Sequence, residues 1–226
     1  MGFFDSILDL LFPPKCVFCR KILHGAESVR CEKCVEKLPY TEFGSKLEGE
    51  YFDFCIAPFY YKDEARNSLM RFKFKNAPII ASAFGNMLAE YIVEHPDLWV
   101  NENNKKRPIY DIITWVPLSK KRKKLRGYDQ AELIALATAS ALNYSATHVL
   151  KKVVETKPQS ELSDATDRRA NVDDAYEVID SALVAGKCVL LIDDIVTTSS
   201  TLSECSKTLL GAGASRVICA VACKSL

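Results

Sequence analysis

The stretch CVLLIDDIVTTSSTL, residues 188–202, decides the fold. Four apolar residues, Val189 to Ile192, lead into the adjacent acids Asp193 and Asp194, and five consecutive hydroxyl residues follow at Thr197 to Thr201. A short apolar run bounded by a polar turn reads as a buried strand, and TLSECSKTLLGAG behind it reads as a helix with glycines at its C-terminus. SRVICAVAC, residues 215–223, is then the next strand. Strand, helix, strand in this order predicts an α/β domain with a mainly parallel sheet.

In such a sheet ligands bind outside the carboxyl ends of the strands, where Asp193 and Asp194 fall. The following helix offers free N–H groups and its positive dipole end to an anion. Thr201 and Glu204 are spaced as a capping box that would fix where the helix starts. The hydroxyls add donors for phosphate oxygens, and paired acids suit a diol or a hydrated magnesium ion beside them. Ribose 5-phosphate carries both groups. A Walker B strand also ends in acids, but it needs a GxxxxGK[ST] loop, and none of the nine glycines supplies one.

Upstream, YFDFCIAPFYY reads as an aromatic strand, and KDEARNSLMRFKFKN and IIASAFGNMLAEYIVEH as helices, the second ending before Pro96. NENNKKRP reads as a surface loop. YDIITWVPL is a buried strand stopped by Pro117, and GYDQAELIALATASALN a helix apolar nearly all round, as one packed on a sheet would be. THVLKK suggests a further strand, and residues 154–178 form a long polar connection.

Of nine cysteines, Cys16, Cys19, Cys31 and Cys34 form two CxxC pairs separated by eleven residues. Two such knuckles complete the four-sulfur shell of a closed structural zinc site. A redox pair, the competing reading, would use one CxxC within a βαβ unit. Lys15, Arg20, Lys21, Arg30, Lys33 and Lys37 surround the cluster; they compensate the charge of four thiolates around a divalent ion, or make a knob that also touches phosphates.

With 226 residues, 48% of them hydrophobic, the chain supports one sizeable core and a small appendage, divided at 1–45 and 46–226. The 30 basic and 29 acidic residues nearly cancel, so a nucleic-acid footprint must be local. MGFFDSILDLLFPP lacks the basic start and cleavage site of a signal peptide and reads as a short amphipathic helix over 3–11, stopped by Pro13 and Pro14. Met1, Gly2 and Ser6 also match the myristoylation pattern, which is loose enough to occur by chance. No run is long enough for a membrane span, and the expected location is cytoplasmic.

VLLIDDIVTTSST resembles the motif for 5-phosphoribosyl 1-pyrophosphate (PRPP) in type I phosphoribosyltransferases. The whole chain is similar to the ComF family of competence proteins, which join a four-cysteine zinc module to such a domain. WVPLSKKRKKLRGYDQAELIA resembles that family's proline-then-RGxxQ segment, KPQSELSDATDRRANV its Q…L…R…N segment, and RNSLMRFKFKN its Arg-and-Lys helix. The resemblance implies that Asp193 and Asp194 hold the ribose hydroxyls and that Thr197, Thr198, Ser199, Ser200 and Thr201 cradle the 5′-phosphate. Arg122, Arg126 and Gly127, in the loop after Pro117, would lie near the pyrophosphate, and Gln159, Arg168 and Asn171 in a connection that closes over the site. Magnesium would arrive with PRPP.

Most of these loops have glycine where this chain has Ser199. If the position needs a left-handed backbone, a Cβ costs roughly 1–2 kcal/mol, about tenfold in affinity, which a hydroxyl bonded to a charged phosphate would offset.

Phosphoribosyl transfer needs positioning and leaving-group stabilisation but no nucleophile. His24, His95 and His148 are therefore read as structural. A transferase in nucleotide salvage, using a nucleobase or another amine, is one reading. Glutamine-dependent amidotransfer is not expected, since no glutaminase domain or N-terminal cysteine is present. The resemblance also ties the family to uptake of single-stranded DNA and its machinery. KKRKKLRG, with Lys123 and Lys124, and RFKFK, with Arg71, Lys73 and Lys75 interleaved with Phe72 and Phe74, are the candidate contacts. In the alternative reading those phenylalanines are core and the cations a solvated face.

Overall fold

A computed structural model describes residues 13–23, 29–73, 77–103, 105–154 and 175–225. The helix expected over 3–11, and Lys75, Gln159, Arg168 and Asn171, lie outside the described residues.

Strand β8 (Cys188–Val196) and strand β9 (Arg216–Lys224) form the centre of a five-stranded parallel sheet. Beyond β8 lies β5 (Ile112–Trp115); beyond β9 lie β1 (Cys55–Ile56) and β2 (Phe59–Tyr60). Val217 through Cys223 are all buried, the continuous apolar run expected of a strand covered on both faces. Alternation sorts the side chains into two cores. Leu190, Ile192, Ile218 and Ala220 meet helices α3 (Ala77–Glu94) and α5 (Gln130–Ala141), while Val189, Leu191, Val217 and Cys219 meet α6 (Ser200–Gly211). Each fully buried Leu, Ile or Val contributes about 1.5–3 kcal/mol relative to exposure. Because α5 and α6 cover opposite faces, the connections leaving β5 and β8 part at their carboxyl ends and open a crevice there.

Helices α3 and α5 approach closely over small residues. A Cβ built on Gly85 would lie 2.4 Å from the Ala137 Cβ and 2.9 Å from the Thr138 backbone nitrogen, and the Thr138 hydroxyl donates to the Gly85 carbonyl at 3.2 Å.

Four local expectations are corrected. The aromatic stretch expected as one strand is two, β1 and β2, interrupted at Ala57 and Pro58, the second of which has no N–H for the ladder. The segment expected as a surface loop forms the hairpin β3 (Trp99–Glu102) and β4 (Lys105–Pro108), with Asn103 left-handed at the turn and the Trp99 indole donating to the Ile92 carbonyl at 2.8 Å. The expected loop after Pro117 is largely helix α4 (Lys120–Arg126), capped by the Ser119 hydroxyl and ended by Gly127 at φ 88°. The expected capping box does not set the start of α6: its N-cap is Ser199, whose side chain makes no capping bond.

The N-terminal segment packs on the same core. Phe18 is fully buried against Phe59 and Phe84, and α1 (Glu32–Lys37) carries Cys34, with Cys31 as its N-cap. Helix α2 (Asp63–Phe72) lies between this segment and the crevice. A two-stranded antiparallel ribbon, β6 (Leu150–Lys152) with β7 (Tyr176–Val178), stands apart from the main sheet. No helix among the described residues is long and apolar enough to cross a membrane.

Candidate functional site

The crevice holds a cavity of about 350 Å³. Its acids are Asp193 and Asp194 near the end of β8 and Asp129 before α5, and Thr197 and Thr201 also line it. Lys73, Arg122, Arg126 and Lys152 bring positive charge to it. A smaller cavity of about 140 Å³ continues from the same acids along Thr197, Ser199, Ser200 and Thr201 to the start of α6. Acids at the strand end, hydroxyls, and the helix N-terminus are thus contiguous, as a ligand with a diol and a terminal phosphate would require.

Ser199 has φ 57° and ψ −5° in the left-handed region, and its carbonyl accepts from the Ser203 N–H at 2.8 Å. Thr198 takes no part in lining either cavity; its hydroxyl pairs with that of Ser200 at 2.9 Å. Asp193 accepts the Asp194 N–H at 2.8 Å. Burial first, and the neighbouring Asp194 charge second, push the Asp193 carboxyl well above the usual carboxylate range. A cation or hydroxyl pair at this position would relieve that cost.

Arg122 and Arg126, four residues apart, share the pocket-facing side of α4. Arg126 donates to the Gln130 amide oxygen. Asp129 caps α5, accepting from the Leu118 N–H at 2.6 Å and the Glu132 N–H at 3.3 Å, and burial raises its carboxyl despite those bonds. Gly127 lines neither cavity; it terminates α4 with a backbone conformation that glycine adopts freely. Lys123 is exposed and paired with Glu132, and Lys124 is exposed on the outer side.

The remaining basic residues separate. Lys73 belongs to the cavity. Arg71 turns the other way, donating to the Val17 and Phe18 carbonyls at 2.6 Å each. Phe72 is fully buried and stacks on Tyr128, ring centroids 5.7 Å apart, so at this residue the core alternative holds and the stacking groove does not. The sequence reading missed Gln130, Lys152 and Tyr176. Gln130 is the last residue of the RGYDQ motif, but Lys152, which donates to the Tyr176 hydroxyl at 3.1 Å, reaches the cavity through a pairing across 24 residues that leaves no local signal.

The sulfurs of Cys16, Cys19, Cys31 and Cys34 lie within 4.8 Å of one another, and those of Cys19 and Cys31 are 3.7 Å apart. A tetrahedron with zinc–sulfur bonds of about 2.3 Å has an edge of about 3.8 Å, so the donor set fits zinc. Burial opposes ionisation of Cys16, but N–H groups directed at its sulfur, that of Cys31 at 3.4 Å among them, bring its pKa down to about 7. The remaining five cysteines are scattered and buried.

The Double zinc ribbon domain family matches residues 7–44, the stretch that holds the four clustered cysteines. The Phosphoribosyl transferase domain family matches residues 131–226, which include both strand-end acids and the hydroxyl loop. Competence protein F of Haemophilus influenzae is 28% identical over 222 residues, covering 90% of this chain and 93% of that protein. Competence protein ComFC of Bacillus subtilis is 27% identical over 154 residues, covering 68% and 56%. The chain is a homologue of these ComF-type proteins. The DNA utilization protein YhgH of Salmonella typhi is a further homologue, 26% identical over 203 residues and covering 89% of this chain and 81% of its own length. The chain thus joins a phosphoribosyltransferase fold to a four-cysteine segment packed on its core.

Proposed function

We propose that this protein binds PRPP with magnesium in the crevice, carries one structural zinc in residues 1–45, and acts in the cytoplasm in DNA uptake by handling single strands. One observation carries the ligand: Asp193, Asp194, Thr197 and Thr201 line both of two adjoining cavities, the larger also lined by Arg122 and Arg126 and the smaller by Ser199 and Ser200 at the start of α6. Asp193 and Asp194 take the ribose hydroxyls, Thr197, Ser199, Ser200 and Thr201 the 5′-phosphate, and the two arginines the pyrophosphate. Magnesium, when bound, neutralises the pyrophosphate. Titration calorimetry with PRPP and magnesium should show binding that Asp193→Ala with Asp194→Ala abolishes; no binding by the intact protein overturns the assignment.

Support for DNA comes from the homologues, named for competence and DNA utilization, and from the outer side of α4, where Lys120, Lys121 and Lys124 are exposed beside Leu125. The intact acid pair favours a second reading, transfer to a nucleobase or another amine in nucleotide salvage. A screen for PRPP-dependent pyrophosphate release against nucleobases and ammonia separates the two. Release with one acceptor supports the transferase; binding without release in the whole panel supports a ligand-sensing module.

A further inference from the structure

Helix α2 touches the cysteine segment with one side of its last turns and the crevice with the other. The Ser68 hydroxyl donates to the Val17 carbonyl at 2.8 Å, and Arg71 grips the same carbonyl and that of Phe18. Both carbonyls lie inside the Cys16–Cys19 knuckle. One residue on, the Phe72 carbonyl accepts from the Tyr128 hydroxyl while the two rings stack, and Lys73, the C-cap of α2, lines the cavity. Tyr128 stands between Gly127, which ends α4, and Asp129, which holds the Leu118 N–H and caps α5. The path from the sulfur cluster to the pyrophosphate side of the cavity is therefore continuous hydrogen bonding and ring contact.

We infer that Arg71 and Tyr128 are positioning residues that couple zinc in the knuckle to anion binding in the crevice. The inference rests on the reading of the crevice as a PRPP site. Its physical basis is a difference between two states. Zinc held by all four cysteines would fix the Cys16–Cys19 turn, and with it the Val17 and Phe18 carbonyls, whereas the metal-free turn is held only by its own backbone bonds. Ser68 and Arg71 hold those two carbonyls by hydrogen bonds, so a loaded site holds Arg71, and the end of α2 with it, more firmly. A ligand that needs Lys73, Arg122 and Arg126 in place then binds better to the loaded protein. Linkage makes the effect reciprocal: bound PRPP must tighten zinc by the same factor.

The test uses the full-length zinc-loaded protein. Zinc affinity is measured by equilibrium competition with a chromogenic chelator, at constant magnesium, with and without saturating PRPP. PRPP should tighten zinc by about fivefold or more, the lower end of ordinary coupling. Arg71→Met, and Tyr128→Phe as a milder variant, should still bind zinc and PRPP but lose the coupling. PRPP binding with unchanged zinc affinity overturns the inference. Failure of PRPP to bind instead overturns the reading of the crevice, and the coupling is then judged by amide hydrogen exchange in the zinc-loaded proteins. Faster exchange across 117–131 in both variants supports it; exchange equal to the parent in both refutes it.

Discussion

Replacing Ser199 by glycine is expected to stabilise the ligand-free protein and weaken its hold on PRPP. Ser199 sits at φ 57° in the folded chain, so its strain is incurred on folding. A side chain in the left-handed region costs roughly 1–2 kcal/mol. Glycine removes that cost but returns about 0.4–1 kcal/mol through the greater freedom of its unfolded chain, leaving a mid-range net gain of about 0.8 kcal/mol. For a chain of this size each kcal/mol moves Tm by about 2–4 °C, so thermal unfolding should shift upward by about 1–4 °C. Ser199→Ala keeps the Cβ and the strain and should leave Tm nearly unchanged, since the hydroxyl makes no capping bond.

Affinity follows a different rule. A loop that keeps this left-handed conformation in both free and bound protein gains equally in both from relief of strain, and the effect on affinity cancels. On the proposed placement of the 5′-phosphate, both variants lose a donor to it, worth about 1.5–3 kcal/mol, or about ten- to a hundredfold in Kd. Calorimetry on the two variants should therefore give similar losses despite their different Tm values. Tighter binding by Ser199→Gly than by the parent, with Ser199→Ala unchanged, would refute a preformed loop and restore the tenfold affinity penalty suggested by the missing glycine.

Asp193→Asn should abolish PRPP binding while stabilising the ligand-free protein increasingly as pH rises. The folded carboxyl titrates above its ordinary 3.8, so the folded state binds more protons than the unfolded state from about pH 4 up to the raised value, and stability falls with pH through that window; urea midpoints of parent and variant that keep a constant difference between pH 4 and pH 8 refute this. Gly85→Ala should lose about 1–3 kcal/mol by forcing α3 off Ala137, read as a lower urea midpoint. Metal analysis should find one zinc per chain, and chelation should lower Tm because Phe18 of the first knuckle shares the main core. Neutralising Lys120, Lys121 and Lys124 to Gln should weaken single-stranded DNA binding and reduce its salt slope by about 0.7 for each phosphate left without its cation, with PRPP affinity unchanged, whereas Arg122→Ala with Arg126→Ala should do the opposite.

Those last two variants mark where the sequence stopped being legible. The apolar run before Asp193, the hydroxyl loop and the helix behind it are covalent neighbours, so one strand end places them together and their order suffices to read them. The CxxC pairs are legible for the same reason, each knuckle being a local turn. Lys73, Lys152 and Tyr176 reach the cavity through tertiary packing, and Arg71 finds its partners 53 and 54 residues upstream, beyond any periodicity. Residues 120–127 hid their structure differently. Ser119 and Gly127 are ordinary helix caps, yet six cations between them argue by mutual repulsion for a loop. Once the segment is a helix, the single basic run becomes two faces: Arg122 and Arg126 turn inward to the cavity, and Lys120, Lys121 and Lys124 turn outward. Neutralising the whole run would damage both candidate ligands at once and leave their separation unread. Only substitutions chosen by face can show whether PRPP and DNA use different sides of α4, and loss of both ligands from the outward set alone would mean that they share one surface.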